Sequence, residues 1–463
     1  MKHSLFTIHY SLFTSKALCT LIFGVAVLLF FGMAYPHHLH HQEQYQLFLF
    51  DSTYVWEIVK QPGGLADLLG RFCTQFFLFA WVGALIIALL LVAIQLLTLR
   101  LVKWGWFYGL SFVPSFLLWL FLLDENALMG GVWAVLLTQL AICGLLQLPD
   151  GWVRRILFII ALMILYWVAF GGSHYYRYPN VFPSLLYAAW LLAIILPFLV
   201  HFCHRWITVS SRPVVTLISF GVVAVCMGTL VWKNTNLKAE KVMQYDFMAC
   251  HQQWNRILAT ANAEKPNNQI GVTVQNLALA MHGMLADHLF EYNQNGTLGL
   301  LPDVERDATS PMPTAEALYQ LGMIYVAQRT VFEAQEAILD FQKSGRCYKR
   351  LAQTNLILGS YEVARKYLMA LQKTLFYRQW ANETLPLLGN EQAIAQHPEY
   401  GRLRQMLDQG DYYFGDHVTA DMLESLYFSN TDNHLALEYL KAYYMLTGDR
   451  DRYAKLILHL QQQ

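Results

Sequence analysis

Charge is what this sequence has least of. Only 14% of its 463 residues are Asp, Glu, Lys or Arg, the two signs are equal at 32 each, and the formal net charge is zero. Without a positive excess the chain lacks the broad attraction on which nucleic-acid binding depends, so nucleic acid is not an expected partner. Cysteine is sparse too, with seven residues and no CxxC spacing. That indicates neither a zinc site nor a disulfide framework. Cys19, Cys143, Cys203 and Cys226 lie in apolar runs and Cys73 borders one; only Cys250 and Cys347 fall in polar sequence, where one bridge between them stays open. Apolar residues take the place of charge. They make up 56% of the chain and give a mean hydropathy of +0.33, too high for an ordinary soluble domain.

A bilayer core of about 30 Å needs roughly twenty apolar residues in a helix. Seven runs qualify, approximately Ala17–Tyr35, Gln75–Leu97, Trp104–Leu123, Ala127–Leu148, Ile156–Ser173, Ser184–His201 and Val214–Trp232. The first resembles the apolar core of a signal peptide, but it is long and six more follow, so it reads as a retained span. An all-α fold is expected, with a polytopic bundle of about seven spans over 17–235. None of the apolar cores holds Asp, Glu, Lys or Arg. A charge-coupled pump or carrier, which needs buried ionisable groups, is disfavoured.

Lys and Arg in the short connections set the orientation. With residues 1–16 inside, the cytoplasmic segments carry Lys2, Lys16, Arg100, Lys103, Arg154, Arg155, Arg205 and Arg212, whereas the short outer connections carry only Arg177. Lys233, Lys238 and Lys241 after the last span oppose this slightly. The expected topology is a bacterial inner-membrane protein with a cytoplasmic N-terminus. It leaves a long outer loop, 36–73, and a periplasmic region, 239–463.

That region has frequent charges and apolar positions at helical spacing. "LYQLGMIYVAQRTVFEAQEAILDF" and "RLAQTNLILGSYEVARKYLMAL" align, with Ala334 and Ala364 marking a period of 30. The pattern of small residues at helix crossings resembles tetratricopeptide repeats, whose period is about 34. A weaker unit, "LKAYYMLTGDRDRYAKLILHL", closes the chain, and "HQQWNRILATANA" with "VQNLALAMHGMLADHLF" opens the region. Three or more stacked pairs predict a short α-solenoid, which either binds a protein partner or packs as a lid. Residues 292–314 read as a long loop and "HPEY" at 397–400 as a break.

Segment 36–73 is too long for a simple connector. "QLFLFDSTYVWEIV" suits a helix in the headgroup layer, and "PGG" at 62–64 turns the chain into "LADLLGRF", so two interfacial helices are expected. If Pro36 starts a helix, His37, His40 and His41 share a face near Glu43, a set that suits a divalent transition metal or, equally, an amphipathic boundary. Carboxylates gather on the same side as Glu43, Asp51, Glu57 and Asp67, with Asp124 and Glu125 from "LLDEN". Arg71 and Arg177 supply cations, and Tyr175, Tyr176 and Tyr178 of "SHYYRYP" supply rings that suit a sugar. A carboxylate base, a cation for a phosphate leaving group and aromatic faces are the parts of a transferase site. Glu43 and Asp51, just after the first span, are the candidate bases; Arg71, Tyr175, Tyr176, Arg177, Asp124 and Glu125 are the candidate substrate ligands.

"EQYQLFLFDSTY…PGGLADLLGRFCTQF", "QNLALAMHGMLADHLFEY", "KRLAQTNLILGSYEVARKYLMALQKTLFYRQWA" and "HPEYGRL" resemble an uncharacterised family of polytopic inner-membrane proteins from Bacteroidota. The resemblance spans nearly the whole chain and implies architecture, not activity. More loosely, the layout is similar to GT-C glycosyltransferases, which carry a catalytic acid in a long first outer loop. That likeness implies that Glu43 or Asp51 deprotonates an acceptor while Arg71 or Arg177 holds a polyprenyl-phosphate sugar. The first outer loop has no adjacent acidic pair and no Asp-x-Asp; "DRD" at 449–451 and "DE" at 124–125 lie elsewhere. Two functions remain, a transferase of this type and a membrane-anchored repeat scaffold for envelope proteins. Layout favours the transferase, because a scaffold needs one anchoring span and this chain has seven.

Overall fold

The computed structural model describes residues 2–102, 108–147, 151–153, 156–157, 159–160, 163, 184–203, 213–303, 309–338, 342–407 and 419–462, with side chains for all of these except 2–14, 102 and 197–203. Among the described residues the fold is all-α, and pairing of β type is limited to an isolated bridge between Asn295 and Thr297. The chain divides into two compact units, 1–237 and 238–463.

In the first unit α1 (Lys2–Leu29) runs on through a π-helical turn, Phe30–Ala34. It is followed by α2 (Pro36–Glu43), α3 (Ser52–Val59), α4 (Gly64–Thr74), α5 (Ala80–Val102), α6 (Val113–Phe121), α7 (Met129–Leu145), α8 (Ser184–Cys203) and α9 (Pro213–Asn234). Three helical stretches are long and apolar enough to cross a membrane: Ser15–Ala34, Ala80–Leu101 and Pro213–Asn234. Shorter apolar helices cover Tyr108–Phe121, Met129–Leu145 and Ser184–Leu196. Of the seven expected runs, the fifth, Ile156–Ser173, falls mostly outside the described residues.

Among the described residues these apolar helices interlock through neutral polar groups. Gln95 of α5 donates to the Ser111 hydroxyl at 3.0 Å and accepts from Thr20 of α1 at 3.1 Å. Gln139 of α7 donates to Thr98 of α5 at 2.7 Å, and Trp190 of α8 to Thr138 of α7 at 3.0 Å. Such bonds join helices without the desolvation cost of a charge. Around them pack rings that include Phe23, Phe112, Phe116 and Trp119, with Phe23 edge-on to Phe116 at 5.0 Å.

Segment 36–73 holds one helix more than the two expected. It forms three helices, and the first is buried: His38, Leu39, His41, Gln42 and Glu43 of α2 are all shielded. The "PGG" turn is made by Gly63 in the left-handed region (φ 76°), a conformation that favours glycine.

The second unit opens with α10 (Leu237–Cys250), α11 (Trp254–Glu264), α12 (Gln269–Met281) and α13 (Leu285–His288). Helix hairpins follow: α14 (Pro311–Leu321) with α15 (Ile324–Ala337), and α16 (Gly345–Ile357) with α17 (Tyr361–Leu371). After α18 (Arg378–Thr384), α19 (Glu391–Gln396), α20 (Pro398–Gln405) and α21 (Thr419–Ser429), a last hairpin joins α22 (His434–Thr447) to α23 (Arg450–Gln462). Gly322, Gly359 and Gly448 occupy the same left-handed turn position in the three hairpins. Each ends its helix and reverses the chain, which is why glycine recurs there.

The expected loop 292–314 is shorter than it reads, since α14 already begins at Pro311. Its first part is pinned by amides: Asn276 donates to Gly299 O and Asn293 to Lys265 O. "HPEY" does mark a break, because His397 Nδ1 accepts from the Glu399 and Tyr400 amides and so starts a new helix. Cys250 and Cys347 are not bridged to one another, and Cys347 packs on Met312.

Candidate functional site

The buried α2 is held by bonds to the turn between α6 and α7. Gln42 donates to Asp124 O and Ala127 O, both at 3.2 Å, and His38 Nε2 lies 3.0 Å from Leu122 O. A carbonyl only accepts, so His38 carries its proton on Nε2. Its ring stacks on Tyr35 at 4.5 Å, and the Tyr35 hydroxyl meets the backbone of Asn236 just beyond α9. The ends of α1, α6 and α9 and the start of α7 are thereby tied together through one short helix.

Burial, then the neighbouring His41, pushes His38 down to about 3, against a smaller opposing effect of the Leu122 carbonyl. The folded protein therefore holds this imidazole neutral. The unfolded chain binds the proton first, so the stability contributed by neutral His38 is complete above about pH 6.5 and falls from there towards pH 3, by at most about 1.4 kcal/mol per pH unit. We expect the unfolding midpoint of wild type to drop on acidification through this range, with a shallower drop in His38→Gln. Parallel pH curves for the two proteins would refute the assignment.

Below α2 a second polar cluster is built on α4. Arg71 pairs with Asp67 one turn earlier (Nη2–Oδ2 2.7 Å, Nε–Oδ2 2.9 Å) and reaches the Tyr54 hydroxyl at 3.5 Å. Tyr54 donates to Leu47 O at 2.8 Å. Gln46 donates to Asp67 and accepts from Thr74. Burial works against the Arg71 charge, but Asp67 and Tyr54 outweigh it and raise its pKa. The helix that carries this cluster lies against α7 at a glycine contact: a Cβ on Gly70 would sit 2.3 Å from Gly130 N.

The sequence-derived candidates fare differently. Asp51 caps α3, accepting from the Thr53 amide at 3.0 Å and the Tyr54 amide at 3.2 Å. This is a local structural use, and its loss typically costs about 1 kcal/mol while asparagine serves almost as well. Asp51→Asn is therefore expected to leave stability and function intact, with Asp51→Ala lowering stability; a null phenotype from the asparagine variant at normal protein level would restore a catalytic role.

Asp124 closes its own turn by accepting from the Asn126 amide at 2.9 Å, and Glu125 beside it is half-buried. Arg71 is committed to Asp67. Glu43, 7% exposed at the end of α2, is the one acidic candidate drawn into the interior. Tyr175, Tyr176 and Arg177 lie outside the described residues. Pro36 does start a helix, on which His41 bonds Tyr45 at 2.8 Å and the His37 and His40 rings stand 5.8 Å apart. Among the described residues no group of three or more His, Cys, Asp or Glu is placed to hold a metal ion.

Sequence reasoning missed a cluster in the second unit. Arg346 and Arg350, one turn apart on α16, pair with Asp246 of α10 and Glu316 of α14. Arg346 grips Asp246 with two nitrogens at 2.5 and 2.8 Å. The Arg350 guanidinium lies 3.7 Å over the Tyr319 ring, whose hydroxyl donates to Glu399 at 2.8 Å. Gln320 joins Glu316 to Arg402. The only sequence signal was the i, i+4 spacing of the two arginines; their acidic partners are 100 and 34 residues away.

The fold and its polar clusters define a two-unit, all-helical protein with apolar helices in its N-terminal half. Its sequence belongs to a family of unknown function, DUF6057, whose profile matches residues 11–174 and 168–462. No curated protein and no solved structure matches the chain.

Proposed function

We propose that this protein is a membrane-anchored scaffold of the bacterial cell envelope, with its helical-repeat unit on the periplasmic side serving as a docking module for envelope proteins. The observation that carries this reading is the set of helix hairpins in 238–463, three of them turned by equivalent left-handed glycines and two of them, α14–α15 and α16–α17, packed on one another. Stacked hairpins make an extended surface on a rigid frame, the usual use of such architectures. The asymmetry of basic residues in the short connections supports the orientation, and the resemblance to Bacteroidota inner-membrane proteins supports the compartment.

Glu43 favours a second reading, a GT-C-like transferase acting on a polyprenyl-phosphate sugar. Glu43 is the candidate carboxylate drawn into the interior, and buried ionisable groups cluster at functional sites. Against it, Asp51, Asp124 and Arg71 are engaged in local structure. One experiment separates the two: complementation of a strain lacking the chain by Glu43→Gln, with protein level measured in parallel. The scaffold reading expects full rescue. Loss of rescue at normal protein level would replace it with the transferase.

A further inference from the structure

Helices α3 and α4 each divide into three sectors rather than the two of an ordinary amphipathic helix. On α3, Tyr54 and Ile58 turn inward, Thr53 and Glu57 form an exposed polar stripe, and Trp56 and Val59 form an exposed apolar one. On α4, Ala66, Gly70 and Cys73 turn inward, Asp67 and Arg71 pair along a second sector, and Leu65 and Phe72, two turns apart, are exposed. Trp56 is 67% exposed, a large apolar surface to leave in water. On α3, one core-facing side, one exposed polar side and one bare apolar side is what a helix at a bilayer surface requires, while the Asp67–Arg71 sector of α4 is itself largely buried.

The two apolar stripes also run into a third. Phe50 and Phe72 approach at 6.5 Å, Phe72 and Phe76 at 5.5 Å, and the chain then passes through exposed Phe79 and Trp81 into α5. Along α5, Trp81, Leu85 and Leu89 continue the exposed line at helical spacing on a stretch long and apolar enough to cross a membrane. Tryptophan at the end of such a stretch belongs to the headgroup boundary.

We propose that the apolar stripes of α3 and α4, centred on Trp56 and Phe72, are immersed in one leaflet of the bilayer as a continuation of the lipid-facing side of α5, with Glu57 turned to water. The occupant of this face is lipid; a second copy of the chain would have no reason to share a line that continues down a membrane-crossing helix. This inference rests on the membrane reading of α5, so the test must report on the two separately. The photoreactive residue benzoylphenylalanine is placed in turn at Trp56, Phe72, Glu57 and Leu89 of the full chain in phosphatidylethanolamine and phosphatidylglycerol vesicles, and adducts are identified by mass spectrometry. Lipid adducts are expected at 56, 72 and 89, with loss of the lipid adduct at 57. Lipid at 89 together with chain dimers, or no adduct, at 56 and 72 overturns the proposal and leaves the membrane reading standing. Absence of lipid at 89 overturns both.

Discussion

Gly70→Ala is expected to push α4 off α7 and to destabilise the first unit, whereas Gly144→Ala on α7 itself is expected to be neutral or slightly stabilising. A Cβ at position 70 would stand 2.3 Å from Gly130 N and 2.7 Å from Gly130 Cα, both backbone atoms of a helix that cannot move aside. Overpacking of this kind typically costs about 1–3 kcal/mol, and more where backbone must shift. At Gly144 nothing lies within 4 Å, so the added methyl brings only the helix-favouring effect of alanine, about 0.5–1 kcal/mol. Thermal unfolding of the purified protein in detergent compares them, and equal midpoints would show that the glycine contact does not hold α4. The effect reaches further than packing, because α4 positions Asp67 and Arg71, and through Gln46 the strand of chain that leaves α2.

Arg346→Ala is the second large effect. Asp246 and Arg346 are 7% and 11% exposed, and removing the guanidinium leaves a carboxylate shielded from water without its bidentate partner. Breaking a buried pair from one side costs about 3–5 kcal/mol, while replacing both members with apolar residues of similar volume is often neutral. The double variant Asp246→Leu/Arg346→Met should therefore regain most of what the single variant loses. Hydrogen exchange across α16 in the full chain measures this directly. A single variant as protected as wild type would mean that water reaches the pair and the burial is only apparent. Arg346→Lys is expected to fall between, since a single ammonium keeps the charge but not the planar fork.

Much of the architecture was legible because it depends on local signals. Apolar runs without charge marked the helices of the first unit, and the aligned stretches around Ala334 and Ala364 marked two hairpins of the second, whose turns the structure places at Gly322 and Gly359. The candidate site was much less legible. Asp51 and Glu43 looked alike in sequence, two acids after an apolar run, yet one caps a helix and the other is buried. Capping could have been read from the "DST" that opens α3, since Asp before a helical run is a strong start signal. Nothing local distinguished α2, whose histidines and glutamine made it look like surface.

The sequence by itself determined that this protein is helical, that its first half is apolar and its second half repetitive, and where the chain turns; composition and periodicity act over a few residues and need no partner to be read. Only the tertiary structure decided which polar groups are spent on holding the fold. Gln42 and His38 find their acceptors more than eighty residues away, and Arg346 finds Asp246 a hundred residues before it. A buried polar group must be satisfied by whatever the packed chain brings within about 3 Å, and that choice is made by the assembled helices rather than by any one segment.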